Sequence, residues 1–131
     1  WNDSRPLAGF SCTQAWLPIA QAHISKNVSK QEASPESVLN FYRSFLNWRA
    51  DTPVLSLGDI KFIDAPEGLL AFTRQLPEQN LTAVFNLSNA SLEWKPPSGL
   101  EPVSQSPSQG ITSESGTLEI APCGFAYLKN P

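Results

Sequence analysis

Apolar positions along this chain keep one period up to Pro53 and a different one after it. Val38, Leu39, Tyr42, Phe45, Leu46 and the stem of Arg49 recur at helical spacing, with Phe41 and Trp48 alongside, so a helix is expected from about Pro35 to Ala50. Its start is well signalled. Ser34 can accept from an orphan backbone N–H, Pro35 loses nothing by lacking one, and Glu36 complements the positive end of the helix dipole. At 1.5 Å per residue the helix would be roughly 24 Å long. Phe41 and Trp48 make its apolar face wider than one stripe, so strands can cover only one side of it and a second neighbour is predicted. Pro53 ends it.

After Pro53 the period falls to about 2. Short strands are expected at Val54–Leu57, Ile60–Ile63, Leu69–Arg74, Leu81–Leu87 and Ser91–Trp94, separated by turns at Gly58-Asp59, Ala65–Gly68 and Pro77–Asn80. Leu70 and Phe72 share one face of their strand, with Leu69, Ala71 and Thr73 on the other. The strand from Leu81 is apolar on both faces and reads as central. Lys95 to Gly116, rich in Pro, Ser, Gly and Gln, reads as ordered loops joining brief edge strands, with Leu100, Val103 and Ile111 as possible core contacts. Thr117–Ala121 and Phe125–Lys129 are expected to close the chain as a hairpin around Pro122-Cys123-Gly124. The pattern is that of a mainly β chain, an antiparallel, Greek-key-like β-sandwich preceded by an irregular segment and one helix. The irregular segment is Trp1 to Val28, too apolar for a disordered tail and expected to lie on a larger body.

Composition adds limits rather than chemistry. The net charge of −3, with nine scattered Lys and Arg, argues against a nucleic-acid or anionic-membrane surface. No apolar run approaches the roughly 18 residues that span a bilayer, and no secretory pattern opens the chain. The location expected from this is the cytoplasm, with the periplasm as alternative. The chain begins at Trp1 and holds no Met, so it is read as a processed chain, a proteolytic fragment or part of something longer. Cys12 and Cys123 are too few for a disulfide framework and read as free, partly buried thiols. With His23 the only His, no metal-ligand spacing exists.

A search for catalytic groups finds none. Most of the twelve carboxylates fall where strands turn, as Asp59, Asp64, Glu67 and Glu78 do, and nothing selects a pair facing each other across a cleft. His23 has no nucleophile elbow to serve, and Gly-rich phosphate loops are absent. Five N-x-[ST] sequons, at Asn2, Asn27, Asn80, Asn86 and Asn89, read as chance in a Ser- and Asn-rich chain. Trp1, Phe10, Trp16, Trp48 and Trp94 could stack on sugar rings. Trp48 and Trp94 lie within regular elements and read as packing; for Trp1 and Phe10 both readings stay open.

At these residues the chain resembles a known family. Trp1-Asn2-Asp3-Ser4, Ala8-Gly9-Phe10-Ser11 and Trp16-Leu17-Pro18 resemble the segment after the last barrel strand in α-glucosidases of the α-amylase family, glycoside hydrolase family thirteen. Phe45-Leu46-Asn47-Trp48-Arg49, Leu57-Gly58-Asp59-Ile60, Phe62-Ile63-Asp64-Ala65-Pro66 and Val84-Phe85-Asn86-Leu87-Ser88 look like the bacterial branch of that family. The likeness is dense from Trp1 to Ser88, fades through the Pro/Ser-rich loops and returns weakly at Pro122–Leu128. The chain departs from the pattern at Ala15, where a Pro commonly precedes Trp16.

The resemblance implies that residues 1–52 hold the loop after the last strand and the last helix of a catalytic (β/α)₈ barrel, and residues 53–131 the C-terminal β-sandwich that supports it. The parent would hydrolyse terminal α-glucosidic bonds of small sugars with retention, through an Asp nucleophile, a Glu acid/base and a second Asp. All three lie upstream of Trp1, as does the family's usual metal site, so catalytic residues, metal ligands and cofactors are expected to be none in this chain. Trp1, Asn2 and Phe10 match positions near the barrel mouth and are the candidate substrate-binding residues. The implied partners are the parent's barrel and, through it, an α-glucoside, with neither nucleic acid nor membrane. Other classes fit the same residues: a sugar-binding sandwich module, a related glucosyl transferase or isomerase, or an inactive transporter-partner protein.

Overall fold

A computed structural model describes residues 1–97 and 99–130. They form two compact units, Trp1–Leu46 and the residues from Asn47 onward. In the first, a short 3₁₀ turn at Pro6–Gly9 is followed by α1 (Gln21–Ile24), α2 (Val28–Ala33) and most of α3 (Val38–Ala50). The front of the chain is thus less irregular than its lack of period suggests. Asn27 is the reason α2 exists as a separate helix. Its Oδ1 accepts from the Lys30 N–H at 3.0 Å and its Nδ2 donates to the Ile24 carbonyl at 2.7 Å, capping α2 and closing the turn before it.

The start of α3 moves by one signal. Ser37 rather than Ser34 is its cap, its Oγ accepting from the Asn40 N–H at 3.2 Å while donating to the Gln31 carbonyl at 2.6 Å. Ser34 instead opens a turn, its carbonyl accepting from the Ser37 N–H at 3.1 Å. At the other end the Thr52 hydroxyl donates back to the Trp48 carbonyl at 2.7 Å. The over-wide apolar face is real: Val38, Tyr42 and Leu46 stay exposed, Val38 to 67 %.

Residues 54–57 do not form the expected strand. Pro53 begins a further short helix, α4 (Pro53–Leu57), because a proline at the first helical position gives up an N–H that would have no partner there. β1 (Asp59–Ile63), β2 (Leu69–Leu76) and β3 (Gln79–Asn86) follow as an antiparallel meander. β4 (Leu92–Trp94), β5 (Glu101–Pro102) and β6 (Gln109–Glu114) are the brief strands expected across the Pro/Ser-rich stretch and its approach.

The closing hairpin is replaced by a single strand, β7 (Thr117–Lys129), bent at Pro122-Cys123-Gly124. Its two halves cannot pair with each other because both edges of each are taken. Leu118 to Ile120 lie between β4 and β6, while Phe125 to Leu128 lie along β3, with β5 on the opposite edge at Leu128. Cys123 takes a left-handed φ of 57°, and the β6 register jumps from Gln109↔Phe125 to Ile111↔Ile120, which is a bulge and a turn of direction in one place. The sheet order β1-β2-β3-β7-β4 places sequence-distant strands side by side. Folded at β7, the sheet closes on itself as a sandwich. Ala71, Val84, Ala126 and Leu128 from one part meet Trp94, Leu118 and Ile120 from the other, with Leu100 and Ile111 packed against them.

Candidate functional site

Two of the three candidate sugar-contacting residues meet in the first unit. The Trp1 and Phe10 rings lie edge to face with centroids 6.5 Å apart, and Phe10 is 78 % exposed. A tight loop brings them together. The Asn2 N–H donates to the Ala8 carbonyl at 2.9 Å and the Phe10 N–H to the Leu7 carbonyl at 3.0 Å. Leu7, Ala8 and Gly9 are all left-handed, at φ of 53°, 54° and 69°. For Leu and Ala that conformation costs about 1–2 kcal/mol each, a strain that clusters at functional loops.

Asn2 serves that loop: its Oδ1 accepts from the Ser4 N–H at 3.2 Å and the Ser4 hydroxyl at 2.9 Å. Next to it, Asp3 pairs with Lys30, and the hydrogen bond from Lys30 holds its carboxyl below the usual range, helped by its own backbone N–H and the Asn27 side chain. A cleft of about 610 Å³ beside Phe10 is lined by Arg5, Pro6, Gly9, Ser11 and Cys12, and not by Trp1 or Asn2. The structure therefore joins Trp1 to Phe10, and gives Asn2 to the loop that holds them.

The remaining aromatic candidates separate cleanly. Trp94 is 5 % exposed, a core residue with no face for a ligand. Trp48 packs against Tyr127 at 4.6 Å between centroids, and burial raises the Tyr127 hydroxyl above its ordinary pKa. Trp16 is exposed. His23 lies exposed in α1, and among the described residues no group of three His, Cys, Asp or Glu side chains is placed to hold a metal ion. Cys12 and Cys123 are free, as expected, but exposed rather than partly buried, because both sit in bends that turn them outward. Two sequon asparagines, Asn27 and Asn86, are buried and hydrogen-bonded to the backbone, a structural use that composition did not reveal.

No family model matches the chain. Among curated proteins it is 40 % identical over 102 residues to a probable alpha-glucosidase of Rhizobium meliloti (strain 1021), covering 77 % of this chain and 18 % of that protein. It is 30 % identical over 99 residues to an alpha-glucosidase of Candida albicans, covering 73 % of this chain and 17 % of that one. Among solved structures, an alpha-glucosyl transfer enzyme matches the whole of this chain with 24 % of its own length, at a TM-score of 0.89 and 33 % identity. The chain belongs to the α-amylase family, glycoside hydrolase family thirteen.

Family membership puts the geometry in proportion. The chain spans less than a fifth of the curated relatives it matches, and what it matches is their C-terminal part. Those relatives come from fungi as well as bacteria. An isomaltulose synthase of Erwinia rhapontici also shares the fold over 95 % of this chain, at 26 % identity and a TM-score of 0.78. No helix among the described residues is long and apolar enough to cross a membrane.

Proposed function

We propose that this chain is the non-catalytic support of a retaining α-glucosidase that hydrolyses terminal α-glucosidic bonds of small sugars. Residues 1–52 complete the catalytic barrel and residues 53–131 buttress it. The observation that carries the reading is the 40 % identity to an alpha-glucosidase over a stretch that makes up only 18 % of that relative. The nucleophile, acid/base and transition-state-stabilising carboxylates, and any metal site, belong to the upstream barrel. Trp1 and Phe10 offer an apolar edge near its mouth, and Asn2 holds the loop that presents them. The strained Leu7–Gly9 turn supports that role.

Assay of the isolated chain and of the full-length protein on an aryl α-glucoside tests this. Turnover is expected from the full-length protein alone, and turnover by the isolated chain would overturn the reading. A second reading, glucosyl transfer or isomerisation, is favoured by the likeness to the transfer enzyme and the isomaltulose synthase. Product analysis on maltose and sucrose separates the two: free glucose supports hydrolysis, and new glucosides or sucrose isomers support transfer.

A further inference from the structure

The two faces of the β1–β3 meander differ in kind. Residues directly opposed in an antiparallel ladder point to the same side. Ile60, Phe62, Phe72 and Phe85 therefore share the face away from the core, which is apolar. The inner face begins apolar too, in the row Ile63–Ala71–Val84–Ala126. Two residues along each strand that row becomes Lys61–Thr73–Thr82–Leu128, and after it Asp59–Gln75–Asn80. A lysine, two threonines and two amides thus stand where a continued sandwich core would carry aliphatic side chains.

A cavity of about 240 Å³ opens at that place. Lys61 from β1, Thr73 and Gln75 from β2, and Asn80 and Thr82 from β3 line it with Asn130, just beyond β7, and apolar residues complete the wall. Thr82 is 3 % exposed, and its Oγ1 lies 3.1 Å from that of Thr73. One of the two hydroxyl protons is used between them, and the other stays available to donate. Every polar side chain lining the cavity can donate, and among the described residues no carboxylate lines it. Among the described residues the ion pairs are Lys30–Asp3 and Arg43–Glu32, so Lys61 brings an unpaired positive charge. A cation beside low-dielectric walls and ringed by donors attracts an acceptor-rich anion. The volume falls below the roughly 300–1,000 Å³ of sites for drug-sized ligands, which restricts the occupant to a small one. The sequon spacing of Asn80-Leu81-Thr82 has its use here, since residues two apart on a strand share a face.

We infer that this polar end of the inner face is a binding site for phosphate, as the free ion or as the monoester of a small metabolite. Near pH 7 a phosphate monoester carries about −1.5 to −2 charge and three strong acceptor oxygens. That matches the ammonium group of Lys61, the three amides and the free hydroxyl better than the two oxygens of a carboxylate do. All the lining residues belong to the second unit, so the site stands independently of the support reading.

Isothermal titration calorimetry of the full-length protein with inorganic phosphate tests this, in about 0.15 M NaCl so that loose surface attraction is screened. Saturable binding is expected at millimolar concentration or below. Lys61→Gln removes the charge, and Thr73→Val removes a hydroxyl while keeping the shape of the side chain. Each is expected to weaken binding about tenfold or more, as loss of a charged or charge-assisted hydrogen bond implies. Lys61 is exposed, so Lys61→Gln is expected to unfold at the same temperature as the unmodified protein, and it decides the matter should Thr73→Val fold poorly. A parallel titration with glucose 6-phosphate separates the two sources: tighter binding than inorganic phosphate assigns the site to the ester, equal or weaker binding to the free ion. No saturable binding of either probe, or binding that folded Lys61→Gln leaves unchanged, would overturn the inference.

Discussion

Asn86 ties β3, the turn that follows it and β7 together with one side chain. Its Nδ2 donates to the carbonyls of Ala90, Ile120 and Ala121 at 2.7, 2.9 and 3.0 Å, so two protons serve three acceptors. Its Oδ1 accepts from the Ser88 N–H at 2.9 Å and the Ser88 hydroxyl at 2.7 Å. The residue thus fixes the turn from β3 to β4 against the bend of β7. Replacing it strands buried carbonyls, and the handicap of an unmade buried hydrogen bond exceeds the gain of a made one. Asn86→Ala is expected to destabilise the fold by about 2–4 kcal/mol, and Asn86→Asp by more, because a carboxylate would face the same carbonyl oxygens. Urea unfolding followed by tryptophan fluorescence checks it, and a midpoint unchanged in Asn86→Ala would refute the assignment. None of this was legible beforehand. A polar residue at a strand end looks like a turn residue, and both Asn27 and Asn86 sit in sequons that direct the eye to modification instead of burial.

Among the elements, those read most clearly were governed by one simple period. The helical spacing of Val38 to Trp48 and the alternation of Ile60–Ile63 and Leu69–Arg74 appear in the fold as α3, β1 and β2. Errors came where a punctuation residue has two uses. Pro53 can stop one helix and start another, and it does both. Pro122-Cys123-Gly124 has the chemistry of a hairpin turn, yet only the partners on either edge of β7 decide that it is a bulge. Gly124 supplies the decisive constraint there by close approach. A Cβ on it would lie 2.8 Å from the Ala121 carbonyl oxygen and 2.9 Å from that of Gly110. Gly116 is the natural control, left-handed at φ 78° but with open space around it. Gly124→Ala is expected to cost about 2–4 kcal/mol by forcing backbone apart, against about 1 kcal/mol for Gly116→Ala from conformation alone. Parallel denaturation curves compare them; equal losses would mean that the bend tolerates a side chain and that packing at β7 is looser than drawn.

At the level of the whole molecule, family was more legible than chemistry, and for a physical reason. Order and spacing of short motifs survive wherever strand register and core packing must be kept, so Leu57-Gly58-Asp59-Ile60 and Val84-Phe85-Asn86-Leu87 carried the resemblance. That no catalytic constellation was read accords with the proposal that the machinery lies upstream, and the apolar face of β1–β3 escaped notice because sequence gives the sides of a strand but not which side is left uncovered. A support of this kind should separate stability from turnover. Trp94 fills the sandwich core beside Leu118 and Ile120. Truncating a buried Trp to Ala removes about 3–5 kcal/mol. In the full-length protein, Trp94→Ala is therefore expected to lower the thermal unfolding midpoint by about 5 °C or more. At a temperature where the protein stays folded, kcat/KM on an aryl α-glucoside should remain within about twofold of the unmodified enzyme, since no interaction made in the transition state is removed. A protein that keeps its midpoint but loses kcat/KM would place the sandwich in the catalytic cycle and end the support reading.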